Sequence, residues 1–272
     1  MAADERDAFL ALARRAGAHG VYVGNDIFAD GRPATLAARG LGLHGRTPCV
    51  GLAWFGARGN LVLLADDPPL PPDAVADAVV RSGREWRIAL GPEPVLAEIR
   101  KRLREPPILV RRQIYYVADP EAVYAVEPDA RVRPAAEPDL EALVAASLEL
   151  NRSDLHLDPA RVSRRWLRHA LRERMRNATA WVLGPPGAPV AKLDVGSEGP
   201  LGAVIEGVFT VPEQRGRGHA RALVHAAVRR QLEAGRPLVC LHVADANHPA
   251  RSCYANAGMR PAVAVGLLLR DG

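Results

Sequence analysis

Residues 211–220 read VPEQRGRGHA and stand between an apolar stretch and an amphipathic one. Gly216 and Gly218 let the backbone approach a ligand closely, and a helix beginning just after them would add its positive N-terminal end. Arg215 and Arg217 add further positive charge. The stretch therefore predicts a turn whose backbone N–H groups hold a pyrophosphate. A lone Gly-x-Gly is also typical of an ordinary strand-to-helix turn, so that alternative stays open here.

The residues after this turn predict a helix over 219–234. Its apolar positions share one face, and Gly235 closes it; they are Leu223, Val224, Ala227, Val228 and Leu232. The glycine spacing differs from a Walker loop, because no Gly-Lys-Ser/Thr follows, and from the dinucleotide fingerprint, which needs a third glycine.

A second motif follows about twenty residues later, where residues 247–259 read NHPARSCYANAGM. Pro249 suits the first turn of a helix and Gly258 its C-terminal stop, which places Tyr254 about one turn before the end. The order is thus strand, glycine turn, helix, strand and a short helix that carries Tyr254.

Together these motifs resemble the acetyl-CoA signature of the GCN5-related N-acetyltransferases (GNAT), here Arg215-x-x-Gly218-x-Ala220 preceded by Val211-Pro212. The resemblance covers roughly residues 130–270. It implies the GNAT fold, acetyl-CoA as co-substrate and no metal. The residues that it places on the coenzyme are Phe209, Thr210, Val211, Arg215, Gly216, Arg217, Gly218, His219, Ala220 and Asn247.

The resemblance also implies direct transfer of an acetyl group to a primary amine of a small molecule or peptide. Tyr254 would donate a proton to the departing thiolate, with aromatic packing as the alternative role. Glu206 is the carboxylate within the apolar run 204–209 and is the candidate base; an ion-paired strand residue is the equally weighted alternative. Cys253 is expected to point elsewhere on the helix.

The acceptor cannot be identified from the sequence. In the family it usually meets the first two helices and their loop, here residues 149–156, which offer Glu149, Asp154 and His156 to a cationic amine. These side chains are equally typical of a solvated loop. The arginines of the next predicted helix are expected to form its wet face.

Composition indicates an ordinary globular protein of 272 residues, 48% hydrophobic and 25% charged, for which two domains are the natural expectation. Residues 1–130 carry 16 basic and 17 acidic side chains, whereas residues 131–272 carry 20 and 14. The basic half is where an anionic ligand is expected. Three scattered cysteines suit reduced thiols, and no bilayer-length apolar run is present. We expect a cytoplasmic protein without a membrane or nucleic-acid partner, with a homodimer left open.

The predicted organisation is an accessory domain over 1–129 and a GNAT domain over 130–272, separated by a Pro- and Glu-containing linker within 118–136. The fold class expected is α/β (α+β): a mixed, mostly antiparallel twisted sheet flanked by helices. The order of elements in the first half loosely repeats that of the second, but residues 66–72 read DDPPLPP where a coenzyme loop would stand. This half weakly resembles the accessory domain of actinobacterial tandem GNAT proteins.

Two other functions remain open from the sequence alone. A non-catalytic, coenzyme A-binding regulatory protein would keep the glycine turn without needing Glu206 or Tyr254. A nucleic-acid binder would use the basic half and is favoured only by its charge.

Overall fold

The computed structural model of the protein describes residues 2–44, 49–57, 59–65 and 69–271. Within these ranges the chain forms ten α-helices and eleven strands, and one sheet contains all eleven strands. The mixed sheet with flanking helices confirms the fold class expected from the sequence. None of the helices in the described ranges is both long and apolar enough to cross a membrane.

The first half opens with helices for which the sequence pattern gives no prediction: α1 (Ala2–Arg15), α2 (Val21–Asp30) and α3 (Pro33–Arg39), with a 3₁₀ turn at Gly17–Gly20. The elements that follow are β1 (Gly40–His44), β2 (Cys49–Phe55), β3 (Asn60–Ala65), α4 (Pro72–Arg81), β4 (Ile88–Gly91), α5 (Glu93–Arg102), β5 (Leu109–Ala118) and α6 (Pro120–Tyr124).

The second half begins with β6 (Val132–Pro134), a 3₁₀ turn at Glu137–Asp139, α7 (Leu140–Leu155), a 3₁₀ turn at Pro159–Arg161 and α8 (Arg164–Arg176). It continues with β7 (Ala180–Leu183), β8 (Ala191–Gly199), β9 (Gly202–Thr210), a 3₁₀ turn at Pro212–Gln214, α9 (His219–Glu233), β10 (Val239–Ala244), α10 (His248–Asn256) and β11 (Met259–Leu269).

The strands lie in the order β1-β2-β3-β4-β11-β5-β10-β9-β8-β7-β6. Only the pairs β3–β4 and β9–β10 are parallel among the described strands. In each half, two antiparallel strands are followed by a helix, a parallel strand, a second helix and a last strand. The last strand of each half is inserted beside the other half's strands, because β11 lies between β4 and β5 while β5 lies between β11 and β10.

Helices cover both sides of the sheet in the second half. We call the side covered by α9 and α10 the back face, where Leu223 and Ile205 belong to one buried core. The opposite side is the front face, covered by α7 and α8, where Leu143 and Val182 share another core. Alternate residues of each central strand therefore point to different sets of helices.

Two local predictions differ from the structure. The loop predicted over residues 149–156 is mostly helical, because α7 continues to Leu155 and ends at His156 in a left-handed conformation. The polar residues after Leu148 hide this last stretch from any apolar periodicity. The segment predicted as a linker contains α6, whose Val123 is fully buried in the core beneath α9.

Candidate functional site

The glycine turn joins the end of β9 to the start of α9. Gly216 and Gly218 have positive φ angles of 74° and 79°, a conformation that favours glycine. A Cβ atom at Gly216 would meet no atom within 4 Å, and one at Gly218 would meet only an Arg221 guanidinium nitrogen at 3.7 Å. The space in front of both glycines is therefore open.

Backbone N–H groups at this turn are unpaired. Among the described residues none accepts a hydrogen bond from the amides of residues 216–221, whereas the next amide, at Ala222, donates to the Gly218 carbonyl over 3.0 Å. The amides are consecutive and stand at the positive end of α9, which is the arrangement that binds phosphate groups.

Side chains around the turn add to this character. The Arg215 guanidinium lies 5.7 Å from the centre of the Phe209 ring, and its Nε donates to the Thr210 carbonyl. Thr210 Oγ1 and His219 Nδ1 are buried without a partner among the described residues. Such orphaned polar atoms at both ends of the turn indicate a site built for a polar ligand or ordered water.

β9 and β10 separate beside this turn. They pair only at Ala203 with Val239 and at Val204 with Cys240, and then β9 continues to Thr210. The remainder of β9 therefore has an unpaired edge that faces β10. A bulge at Gly207, which has a φ of 63°, interrupts its register with β8. The result is a cleft with β9 as one wall and β10 as the other.

α10 brings the second motif to the back of this cleft. Asn247 caps the helix, with its side-chain oxygen accepting a hydrogen bond from the Ala250 amide over 3.2 Å. The Tyr254 side chain is buried, with its ring centre 6.1 Å from that of Tyr116. Burial, with smaller contributions from Cys253 and Asp154, raises the pKa of Tyr254, so its hydroxyl stays protonated at neutral pH.

Cys253 is only partly accessible, and burial raises its pKa to about 11. A thiol with this pKa is almost wholly protonated at neutral pH and is therefore a poor nucleophile.

Glu206 lies on the front face in a network of four charged side chains. Arg174 of α8 donates to Glu206 Oε1 and to Asp194 Oδ2, each over 2.7 Å, and Lys192 Nζ also contacts Asp194 Oδ2 over 2.7 Å. A Cβ atom at Gly196 would collide with the Glu206 carboxylate, so this glycine leaves the space that the side chain needs. Of the two arrangements that the sequence allows for Glu206, the structure contains the ion pair.

The network predicts unequal effects on stability. The side chains of Asp194 and Lys192 are each 4% exposed, whereas that of Glu206 is 42% exposed. Removing one partner of a buried ion pair leaves an uncompensated charge, so Asp194→Asn is expected to lower the free energy of unfolding by about 3 kcal/mol. The matched Glu206→Gln variant is expected to lose less than about 1 kcal/mol. Urea unfolding followed by tryptophan fluorescence measures both, and equal losses would contradict the prediction.

The acceptor candidates fall in different places. Glu149 pairs with the exposed Arg152, and His156 ends α7. Asp154 instead forms a two-point ion pair with Arg111 of β5, at 2.9 Å for both contacts. On α8, Arg168 and Arg172 form ion pairs with glutamates at the surface, as expected for the solvent-exposed face of this helix.

Arg174 is absent from the sequence-based candidates, although a signal for it exists. Leu167, Leu171 and Arg174 stand at positions i, i+4 and i+7 of α8, and both leucines are buried. An arginine that interrupts an apolar stripe points toward the sheet and needs an anionic partner there.

The first half has a different pocket at the corresponding place, between the end of β3 and the first turns of α4 and α5. This cavity of about 260 Å³ is lined by apolar residues, among them Leu63, Val75 and Val95. Prolines stand here in place of the glycine turn, and proline has no N–H to offer a phosphate. Those that the structure describes in the lining of the cavity include Pro69, Pro71 and Pro72. Residues 66–68 of the DDPPLPP stretch (residues 66–72) lie outside the described residues.

Comparison with known proteins gives a family match in the second half. Residues 147–259 match the Acetyltransferase (GNAT) family, which confirms the resemblance noted in the sequence. A search of the curated proteins gives no match.

Three solved structures each match at least 91% of the chain. A GCN5-related N-acetyltransferase from Sphaerobacter thermophilus is 15% identical with a TM-score of 0.57, over 96% of this chain and 94% of that one. A Drosophila protein is 12% identical with a TM-score of 0.63, over 99% and 97%. A protein described as a GNAT acetyltransferase from Novosphingobium aromaticivorans is 20% identical with a TM-score of 0.53, over 91% and 95%. At these identities the likeness shows the fold alone.

Proposed function

Because residues 147–259 match the GNAT acetyltransferase family, we propose that the protein is an N-acetyltransferase that moves an acetyl group from acetyl-CoA directly to a primary amine. The amine belongs to a small molecule or a peptide. The observation that carries the proposal is the run of unpaired amides over residues 216–221 at the start of α9.

The residues present fit the coenzyme. Amides of residues 216–221 would hold its pyrophosphate, and Arg215 and Arg217 would offset its charge. The edge of β9 around Phe209 and Thr210 would offer main-chain groups to the pantetheine arm. Val211 is less suited to this role than the sequence suggests, because its N–H donates to the Val190 carbonyl over 2.9 Å and its carbonyl accepts from the Gln214 amide over 2.9 Å. Asn247 uses its side-chain oxygen for capping, which leaves its amide nitrogen for the same arm.

Acetyl-CoA supplies an acetyl group activated as a thioester, and its transfer forms a C–N bond to the amine and breaks the C–S bond to the coenzyme. An uncharged amine must reach the carbonyl carbon and lose a proton. The departing sulfur must also find a hydrogen-bond donor. Glu206 stands on the front side of the cleft and is our candidate proton acceptor, oriented by Arg174. The amides of the β9 bulge are candidates for holding the developing oxyanion.

Tyr254 is the candidate donor to the sulfur. The burial that raises its pKa keeps the proton on the hydroxyl but also makes the tyrosinate costly. We therefore assign Tyr254 a strong hydrogen bond to the departing thiolate rather than complete transfer of its proton.

The experiment that tests the proposal has two parts. Calorimetry should detect one acetyl-CoA site per chain, because only the second half has the glycine turn. A panel of primary amines should then release free thiol from acetyl-CoA. Binding without turnover of any amine would favour the non-catalytic, coenzyme-binding alternative, and absence of binding would reject both.

A Tyr254→Phe variant separates chemistry from packing. The phenyl ring keeps its contact with Tyr116, whereas the hydroxyl donor is lost, so kcat is expected to fall about 100-fold. The KM for acetyl-CoA is expected to change less than about threefold, because the ring still packs in place. Steady-state thiol release measures both constants.

Tyr116→Phe is the control for this variant. Tyr116 belongs to the same aromatic pair, and its hydroxyl accepts a hydrogen bond from Arg251 Nε at 3.4 Å. We expect its kcat to remain within about threefold of the wild type. An unchanged kcat in Tyr254→Phe would remove Tyr254 from the mechanism.

We also propose that residues 1–129 are a degenerate copy of the second half. The repeated order of elements supports this relationship, and the proline-lined apolar cavity is the reason to expect no coenzyme there.

A further inference from the structure

A cluster of polar side chains lies on the front face at the centre of the sheet. It contains Arg111, Gln113 and Tyr115 of β5, His242 of β10 and Asp154 of α7. Tyr115 and His242 are direct partners in the β5–β10 register, with ring centres 5.2 Å apart. We call these five residues the front cluster. Strand β5 belongs to the first half, so both halves of the chain build it.

The front cluster contains polar atoms that lack partners. Gln113 is 1% exposed, and neither its Oε1 nor its Nε2 has a hydrogen-bond partner among the described residues. Arg111 Nε and His242 Nδ1 are buried and unpartnered in the same way. Leaving a buried amide unsatisfied is unfavourable, so several such atoms on adjacent strands point to a polar ligand.

The front cluster adjoins the cleft. Val204 of β9 and Cys240 of β10 form the last pair before these strands separate, and both belong to a second buried core on the front side of the sheet, together with Tyr115. Side chains alternate along a strand, so Glu206 and His242 lie two residues further on the same face. They therefore stand on opposite walls of the cleft, on the side from which an amine would approach Glu206.

The charges of the front cluster balance. Arg111 and Asp154 compensate each other through two contacts of 2.9 Å. Burial, aided by Arg111, lowers the pKa of His242 to about 4, and burial lowers that of the adjacent His19 to about 4. Both imidazoles are therefore uncharged at neutral pH. A charged ligand group would find no counter-charge here, whereas a group that both donates and accepts hydrogen bonds matches the free atoms.

On this basis we infer that the front cluster recognises an uncharged amide in the acceptor, next to the amine that is acetylated, as in an amino-acid amide or a peptide N-terminus. This inference rests on the proposed function. The first half of the chain contributes the specificity through Gln113 and Arg111. The Arg111 and Asp154 side chains are 19% and 37% exposed and form the outer layer, so the amide enters by moving this ion pair.

Matched acceptors test the inference in the wild-type protein. Alaninamide, alanine methyl ester and alanine differ in the group beside the reacting amine. The amide offers an N–H donor there, the ester has none, and alanine has a carboxylate that also makes its amine more basic, so the amide and the ester form the decisive pair. We expect kcat/KM for the amide to exceed that for both others by at least about tenfold. Equal values for amide and ester would overturn the inference while leaving the proposed function intact.

Variants locate the preference. Gln113→Leu is expected to bring the amide-to-ester ratio of kcat/KM close to one. Gln231→Leu is the control, because Gln231 is also a buried glutamine with an unpartnered oxygen but lies on α9. A ratio that survives in Gln113→Leu, or falls equally in both variants, would contradict the assignment.

Calorimetry of the same three compounds with coenzyme A-saturated protein repeats the comparison without turnover. Suppose that the amide binds more tightly than the ester, but that none of the three compounds is acetylated in the separate assay with acetyl-CoA. This outcome would support the recognition site and reject the proposed reaction. Equal binding of the two would reject the recognition site.

Discussion

A Gly218→Asp variant is expected to lose at least about 100-fold in affinity for acetyl-CoA, or about 2.7 kcal/mol. Gly218 stands at the N-terminus of α9 in a left-handed conformation, with open space in front of it. Aspartate tolerates this conformation better than most residues and is a favoured N-cap, so the helix should remain intact. Its carboxylate would accept hydrogen bonds from the amides reserved for the pyrophosphate and would repel that group.

Gly218→Asn provides the matched control. Asparagine has nearly the same shape and the same tolerance of the left-handed region, but no charge. We expect it to weaken binding by about tenfold or less, because its side chain fills space without the repulsion. Calorimetry gives both affinities, and circular dichroism verifies the fold. Wild-type affinity in Gly218→Asp would remove the turn from the coenzyme site.

A fragment of residues 130–272 is expected not to fold, although it contains the whole sequence signature. β5 is the hydrogen-bonded partner of both β10, from Gln113 to Val117, and β11, from Leu109 to Ala118. Without β5, these two strands lose their shared neighbour, and α10 loses the Tyr116 ring on the back face. We expect no cooperative thermal transition and no acetyl-CoA binding in the isolated fragment.

Co-expression of residues 1–129 with the fragment is the control. It restores β5 as a separate chain, and we expect the pair to copurify and to bind acetyl-CoA. A fragment that unfolds cooperatively alone and binds the coenzyme with the affinity of the full chain would show that the interleaved strands are dispensable.

Local patterns predicted the parts of the site that depend on local chemistry. The glycine turn, α9 and the short helix with Tyr254 follow from glycine and proline positions and from apolar periodicity. The pairing of β5 with β10 and β11 joins residues more than 120 positions apart, and no local pattern contains it. The front cluster was missed for the same reason, since Gln113 and His242 become neighbours only through that pairing.

Glu206 shows a different limit. Its strand and its neighbourhood were predictable, but its partner Arg174 comes from α8 and reaches it across the front face. From the sequence, a catalytic base and an ion-paired carboxylate are equally weighted roles for Glu206, because the ion pair depends on a contact between α8 and β9. The turn of α8 that aims Arg174 inward supplies the ion pair, and the role of Glu206 as proton acceptor stays a proposal.

The insertion of each half's last strand into the other also decides which backbone edges meet solvent. Among the described strands, only β1 and β6 end the sheet. β6 has three residues and finishes with Pro134, and β1 has five. Short strands and prolines are poor templates for adding another chain. The long central strands, which would promote self-association if uncovered, are instead protected inside the molecule, so loss of the interleaving would expose the protein to aggregation.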